Sequence, residues 1–248
     1  MSIKVAVHGA AGRMGQEVLR ALCADPDLEP VGGVDREVTH ELLPLPDGSG
    51  QIPFSSDLDS LLARCQPQVV VDFSIAEATR AMVSVAAGHG VNIVIGTTGL
   101  TPADMELIEG LARTHGIGVV VAPNFALGAV VLLYLARIAA RYFDYADITE
   151  LHHHLKADAP SGTALATARA MLEGRGHPFE YPRVQKETIK GTRGGEEGGI
   201  AIHSVRLPGL LAHQEVILGG PGQTLTLRHD TISRECFIPG VLLAVREV

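Results

Sequence analysis

Short apolar runs alternate with amphipathic stretches through the first half of the chain. Ile3–Val7, Pro30–Val34, Gln68–Asp72, Asn92–Ile95 and Gly118–Ala122 read as strands. Arg13–Ala24, a stretch near Ala76–Gly88 and one from Thr101 to about Thr114 read as helices between them. The strand runs are continuous in Val and Ile rather than alternating, as befits strands covered on both faces. Strand–helix alternation with short connections predicts a doubly wound parallel sheet. Thr101-Pro102 marks one helix start sharply, with Thr as N-cap and Pro at the first helical position.

The second half has a different rhythm. Ala126–Tyr142 predicts a long apolar helix, Ala146–His153 a strand and Ser161–Glu173 a helix. Gly199–Arg206, His213–Leu218 and Thr224–His229 are strand-like. Ile200, Ile202 and Ser204 alternate with Ala201, His203 and Val205, which fits a sheet with one covered face. Lys186–Gly199 is rich in glycine and charge and is expected to be a mobile loop of the kind used as a lid. The apolar tail after Pro239 predicts a last helix.

Composition narrows the function. The chain has 248 residues with 46% hydrophobic, enough for a large core, and a net charge of −8. That acidity argues against nucleic acid as a partner, since phosphate binding needs a basic face. Cys23, Cys65 and Cys236 are isolated, without CxxC spacing, and read as reduced thiols of a cytoplasmic protein. The N-terminus enters a strand pattern at once, so no secretory signal is expected. No apolar run is long enough to span a bilayer, so no membrane partner is expected.

The clearest nucleotide signal follows the first strand. Gly9, Gly12 and Gly15 fall in Val7-His-Gly-Ala-Ala-Gly-Arg-Met-Gly15 and open a helix. Small residues there let backbone approach a pyrophosphate, and the helix start supplies free N–H groups. Gly9, Ala10, Ala11, Gly12, Arg13 and Met14 are therefore expected to contact a dinucleotide. The second strand ends in Asp35-Arg36. Asp35 suits the adenosine ribose of NADH, while Arg36 and Arg13 could meet the 2′-phosphate of NADPH, so both cofactors are expected to serve. Gly96, Thr97 and Thr98, and then Ala122, Pro123, Asn124 and Phe125, end later parallel strands, where ligands of open α/β sheets bind. Asn124 could hold a nicotinamide by hydrogen bonding and Phe125 by packing. Phe73 is as consistent with a core residue as with a cofactor contact.

The densest cluster of proton donors lies in Glu150-Leu-His-His-His-Leu-Lys-Ala-Asp-Ala-Pro-Ser-Gly-Thr-Ala164. On a strand, Glu150, His152 and His154 share one face and Leu151 and His153 the other. A His-x-His pair could bind zinc, but zinc needs three or four ligands and no further supplier is evident, so no metal is expected. Solvated histidines at a strand end are the plain alternative. An anion pocket explains more of the residues. Ser161 can cap the helix, Gly162 and Thr163 present N–H groups, Lys156 adds charge and a histidine adds a proton donor. Joined to a dinucleotide domain, this suits reduction of an anionic acid with a C=N or C=O group. Another amino- or keto-acid dehydrogenase, or a non-catalytic dinucleotide sensor, would share the glycine loop but not the paired histidines, lysine and Ser-Gly-Thr.

These residues resemble the 4-hydroxy-tetrahydrodipicolinate reductase (dihydrodipicolinate reductase) family of lysine biosynthesis by the diaminopimelate route. The matching stretches are Gly9–Gly15, Val71–Ser74, Ile95–Gly99, Ala122–Phe125 and Glu150–Ala164, in the family's order. The match departs at His154 and Leu155, and His213-Gln-Glu-Val216 stands where the family usually carries Gly-Glu-His. The resemblance implies His152 as acid–base residue, His153 as substrate contact and Lys156 as second proton donor or carboxylate partner. It places Ser161, Gly162 and Thr163 at a carboxylate of a small cyclic dicarboxylate substrate. It also implies an α/β fold: a Rossmann-type dinucleotide domain over residues 1–125, rejoined by about 230–248. Residues 126–229 would form a substrate-binding domain with an open mixed sheet that assembles a homotetramer.

Overall fold

The computed structural model describes residues 2–248. The chain forms two compact units, one running from the N-terminus to Phe125 and rejoined by Phe237–Val248, the other spanning Ala126–Cys236.

The first unit is built from β1 (Ile3–His8), α1 (Arg13–Ala24), β2 (Leu28–Val34), β3 (Leu42–Pro44), β4 (Gln51–Ser55), α2 (Leu58–Cys65), β5 (Val69–Asp72), α3 (Ala76–Gly88), β6 (Asn92–Ile95), α4 (Pro102–His115) and β7 (Val119–Val121). The strands lie in the order β3-β4-β2-β1-β5-β6-β7. All neighbours are parallel except β3 with β4. Both faces are covered, which is why the strand runs are unbroken hydrophobes: Val5, Ala6 and Val7 are each at most 1% exposed. Val5 and Val7 pack with Val18, Leu19 and Leu22 of α1, while Ala6 packs with Leu61, Met82 and Val83 of α2 and α3. At α4 the expected cap forms a reciprocal box: Asp104 N–H donates to Thr101 Oγ1 at 3.2 Å and Thr101 N–H to Asp104 Oδ2 at 2.7 Å.

The second unit begins with α5 (Leu127–Ala139), followed by β8 (Tyr145–His152), α6 (Gly162–Arg175), β9 (Gly195–Glu197), β10 (Ile200–Arg206), β11 (Ala212–Gly220) and β12 (Gln223–Thr231). Its sheet is mixed, in the order β12-β11-β8-β10-β9, with β8 and β10 parallel and the other neighbours antiparallel. Ala146, Ile148, Ile200, Val216 and Leu218 bury one face against Leu132 and Ala136 of α5 and Ala168 and Met171 of α6. The chain then returns to the first unit as α7 (Ile238–Glu247), whose Val241 and Val245 join the α1 side of that core.

Two expectations are corrected. The apolar helix read as Ala126–Tyr142 is α up to Ala139 and tightens to a 3₁₀ turn over Ala140–Tyr142. Arg175 explains the change, donating to the carbonyls of Ala140 and Phe143 that the helix end leaves open. The stretch Lys186–Gly199, expected to be a loop throughout, contains the edge strand β9, hydrogen-bonded to β10. Some of its glycines serve packing. Gly194 has φ +73°, and a Cβ there would lie 2.3 Å from the Ile202 carbonyl oxygen. At Gly199, φ is +85° and a Cβ would lie 2.0 Å from the Phe179 carbonyl oxygen. The segment 37–67, unassigned from the pattern, supplies the β3–β4 hairpin, with β4 parallel to β2, and the crossover helix α2.

Candidate active site

In the first unit, the carboxyl ends of β1 and β2 carry the glycine loop and Asp35. Gly9 has φ +81°, and a Cβ there would lie 2.5 Å from the Phe73 carbonyl oxygen. A Cβ on Gly15 would lie 2.2 Å from the Gly9 carbonyl oxygen. Both positions therefore demand glycine, and the resulting turn lays bare backbone over the start of α1. That first turn carries no acidic side chain, so the positive end of the helix is left for an outside anion. Asp35 is held at this loop, accepting from Ala11 N–H at 2.9 Å and from Arg36 N–H at 2.8 Å. Arg36 itself reaches into solvent, with its side chain 83% exposed. Gly9, Gly12, Asp35 and Arg36 line a cavity of about 650 Å³ whose remaining wall includes Ala81, Met82 and Val85. A cradle that excludes side chains, a carboxylate beside it and an apolar slot fit a dinucleotide.

The later strand ends differ from the expectation. Ala10 and Phe125 are buried in the core, so Ala10 offers only backbone and the Phe125 ring packs 5.9 Å from that of Phe73. The Thr97 hydroxyl is committed internally, donating to Asp72 at 2.8 Å and accepting from Ser74 N–H at 2.9 Å. A Cβ on Gly96 would meet the Phe73 ring at 2.2 Å, so this glycine answers to Phe73. Thr98 and Pro123 are exposed, and Ala122 and Asn124 are half-buried.

In the second unit, the β8–α6 connection gathers the proton donors. β8 ends at His152, one residue earlier than the pattern suggested, so His153 and His154 stand in the following turn, exposed. Glu150 and His152 share a face of β8, and His152 Nδ1 lies 2.5 Å from Glu150 Oε2. Glu150 is fully buried yet has a complete set of donors. Arg206 at the end of β10 grips it with two N–H groups at 2.7 and 2.8 Å, and Ser161 N–H donates at 3.2 Å. Burial alone would raise the Glu150 carboxyl, but the bonds from His152, Arg206 and Ser204 outweigh it and bring its pKa down to about 2. An ionised carboxylate only accepts, so Nδ1 of His152 carries the hydrogen and Nε2 is left as the working nitrogen.

The same network fixes the anion seat. Ser161 Oγ caps α6 by accepting from Ala164 N–H at 3.2 Å. Gly162 and Thr163 follow as the first helical residues, and a Cβ on Gly162 would meet open space. Their N–H groups face no other protein acceptor among the described residues, as suits a carboxylate at the helix start. Lys156 Nζ lies 2.7 Å from Asp158 Oδ1, and this ammonium holds the Asp158 carboxyl below its usual range. The Arg206 side chain also donates to the Asp158 carbonyl at 2.7 Å, which fixes the turn bearing Lys156. Sequence reasoning missed Glu150 and Arg206 as working residues. The Glu-x-His parity on a strand was the signal for Glu150, and nothing local marked Arg206.

A doubly wound sheet with a glycine cradle, joined to a unit bearing a carboxylate–imidazole pair, an ammonium and a helix-start anion seat, defines a Rossmann-type oxidoreductase. Family models sharpen that class. The model described as dihydrodipicolinate reductase, N-terminus, matches residues 3–125, and the one described as dihydrodipicolinate reductase, C-terminus, matches residues 128–248. The chain belongs to the dihydrodipicolinate reductase family. A 4-hydroxy-tetrahydrodipicolinate reductase of Dehalococcoides mccartyi is 56% identical over 246 residues, covering 99% of this chain and 93% of its own. One from Moorella thermoacetica is 47% identical over 251 residues, covering 100% and 93%. Among solved structures, a dipicolinate-bound dihydrodipicolinate reductase from Paenisporosarcina sp. TG-14 superposes with a TM-score of 0.88 at 39% identity, covering 100% of this chain and 94% of its own.

Proposed function

We propose that this chain catalyses the NAD(P)H-dependent reduction of 4-hydroxy-tetrahydrodipicolinate to tetrahydrodipicolinate in the diaminopimelate route to lysine. The observation that carries this is the Glu150–His152 pair beside the α6 start, in a chain whose relatives bear that enzymatic name and one of which holds dipicolinate. The nicotinamide, when bound, supplies the hydride. Gly162 and Thr163 N–H groups hold one substrate carboxylate, and Lys156 meets a carboxylate or the developing charge. The substrate's 4-hydroxyl leaves as water with a hydrogen of the adjacent ring carbon, hydride then adds to the conjugated ring, and His152 gives that electron-rich ring the Nε2 proton of its imidazolium form while Glu150 holds the imidazole in place. His153, exposed on the turn, contacts the substrate edge.

The loop Gly9–Met14 and Asp35 bind the dinucleotide, with backbone of Gly96, Thr98 and Ala122–Phe125 on the nicotinamide side. Both cofactors serve, because Asp35 accepts ribose hydroxyls and exposed Arg36, with Arg13, meets a 2′-phosphate. Arg36→Ala accordingly weakens NADPH roughly tenfold, the value of about 1.4 kcal/mol for one charge-assisted contact, and NADH much less. Fluorescence titration of each cofactor checks this, and equal losses would remove Arg36 from that role. The enzyme works as a cytoplasmic homotetramer assembled through the mixed sheet, and the exposed apolar row Val130, Val131, Tyr134, Leu135 and Ile138 on α5 offers further surface for subunit contact. Light scattering that gave the monomer mass would refute the assembly.

The activity test follows NADH absorbance while the cyclic substrate is generated in situ by a synthase. Consumption that depends on both the synthase and this chain supports the assignment. A chain that binds NADH but never oxidises it in this mixture would overturn it.

A further inference from the structure

β1 ends in a histidine that the dinucleotide assignment leaves unused. His8 sits opposite Asp72 in the β1–β5 register, and its Nδ1 lies 2.7 Å from Asp72 Oδ1. Asp72 is fully buried and also accepts from the hydroxyls of Ser74, Thr79 and Thr97 at 2.6, 2.6 and 2.8 Å. Burial pushes its carboxyl up, and the bonds from His8, Ser74 and Thr79 more than offset this, leaving it below its ordinary value. As an acceptor only, Asp72 takes the hydrogen of His8 Nδ1 and fixes the rotation of the ring.

The other ring nitrogen has no protein partner among the described residues. The imidazole is 11% exposed and lines the 650 Å³ cavity together with Gly9, Gly12 and Asp35. Three hydroxyls also donate to Asp72, so the carboxylate keeps donors besides the imidazole. What the imidazole adds is a polar Nε2 on the cavity side, next to the first glycine of the cradle.

We propose that His8 is a cofactor-binding residue whose Nε2 accepts a hydrogen bond from a ribose hydroxyl of the adenosine-diphosphate half of the dinucleotide, with Asp72 as its positioning residue. The proposal rests on the assignment of Gly9–Gly15 as the dinucleotide cradle. Two substitutions separate the nitrogens. In His8→Asn the amide nitrogen takes the place of Nδ1 toward Asp72 but nothing replaces Nε2. In His8→Gln the longer amide reaches the Nε2 position.

Calorimetric titration uses ADP-ribose, which lacks the nicotinamide, and reduced nicotinamide mononucleotide, which lacks the adenosine half. His8→Asn is expected to bind ADP-ribose roughly fivefold more weakly, the value of one well-placed neutral hydrogen bond. Its ligand-free melting temperature and its mononucleotide affinity should match the wild type, and His8→Gln should recover most of the loss. Wild-type binding of ADP-ribose with an unaffected His8→Asn variant would overturn the inference alone. So would an affinity loss that appears equally for the mononucleotide. Failure of the wild type to bind ADP-ribose would overturn the cradle assignment and this inference with it.

Discussion

Replacing His152 with Gln lowers turnover by roughly 10²- to 10⁴-fold while NADH affinity stays near the wild-type value. The range is that of a positioned general acid, and the separation of effects follows from where His152 sits. Its Nδ1 is spent on Glu150, which leaves Nε2 for the proton exchange proposed above. Lys156→Ala has a second consequence. The lysine bears the ammonium that the Asp158 pair holds at the turn, so its loss raises KM as well as lowering turnover. Steady-state kinetics with the coupled synthase, alongside direct NADH titration, resolves the two patterns. Near-normal turnover in both variants would remove the pair from the chemistry.

Glu150→Gln carries the largest expected cost in stability. The amide cannot accept from His152, both Arg206 N–H groups and Ser161 at once, and its NH₂ must face one of those donors. Breaking such a buried pair costs about 3–5 kcal/mol. The pH dependence has a definite sign. The folded-state value of about 2 lies below the ordinary 4.5, so the carboxylate's contribution is complete above about pH 4.5 and is lost as pH falls through about 2. That contribution is on the order of 3 kcal/mol at neutral pH. Urea unfolding of the two proteins should therefore differ most near pH 7 and converge toward pH 2. A constant difference across that range would mean that Glu150 is not ionised in the folded protein.

Much of this was legible in the chain because local chemistry decided it. Unbroken Val runs fixed the parallel sheet, since only strands covered on both faces tolerate them. Thr101-Pro102 fixed a helix start, and Ser161 fixed another. The parity of Glu150 and His152 placed both on one face of β8, as found. Other features depended on distant partners. Arg206 reaches Glu150 across 56 positions of sequence, and nothing near Arg206 announces it. Gly96 also makes room for the Phe73 ring, a neighbour set by β5 that the local sequence did not announce. Pro44 and Pro53 hid β3 and β4, because proline weakens a strand pattern although an edge hairpin accepts it. The turn between them carried its own signal: Gly48 has φ +76°, and Ser49 N–H donates to Asp47 Oδ1 at 3.0 Å.

Mass spectrometry of the product formed from NADH deuterated at the reactive carbon tests the hydride transfer most directly. One deuterium on a ring carbon of tetrahydrodipicolinate, none in the absence of this chain, and its near-complete loss with His152→Gln is the expected result. Oxidation of the labelled cofactor that leaves the cyclic dicarboxylate unlabelled would contradict the assigned chemistry.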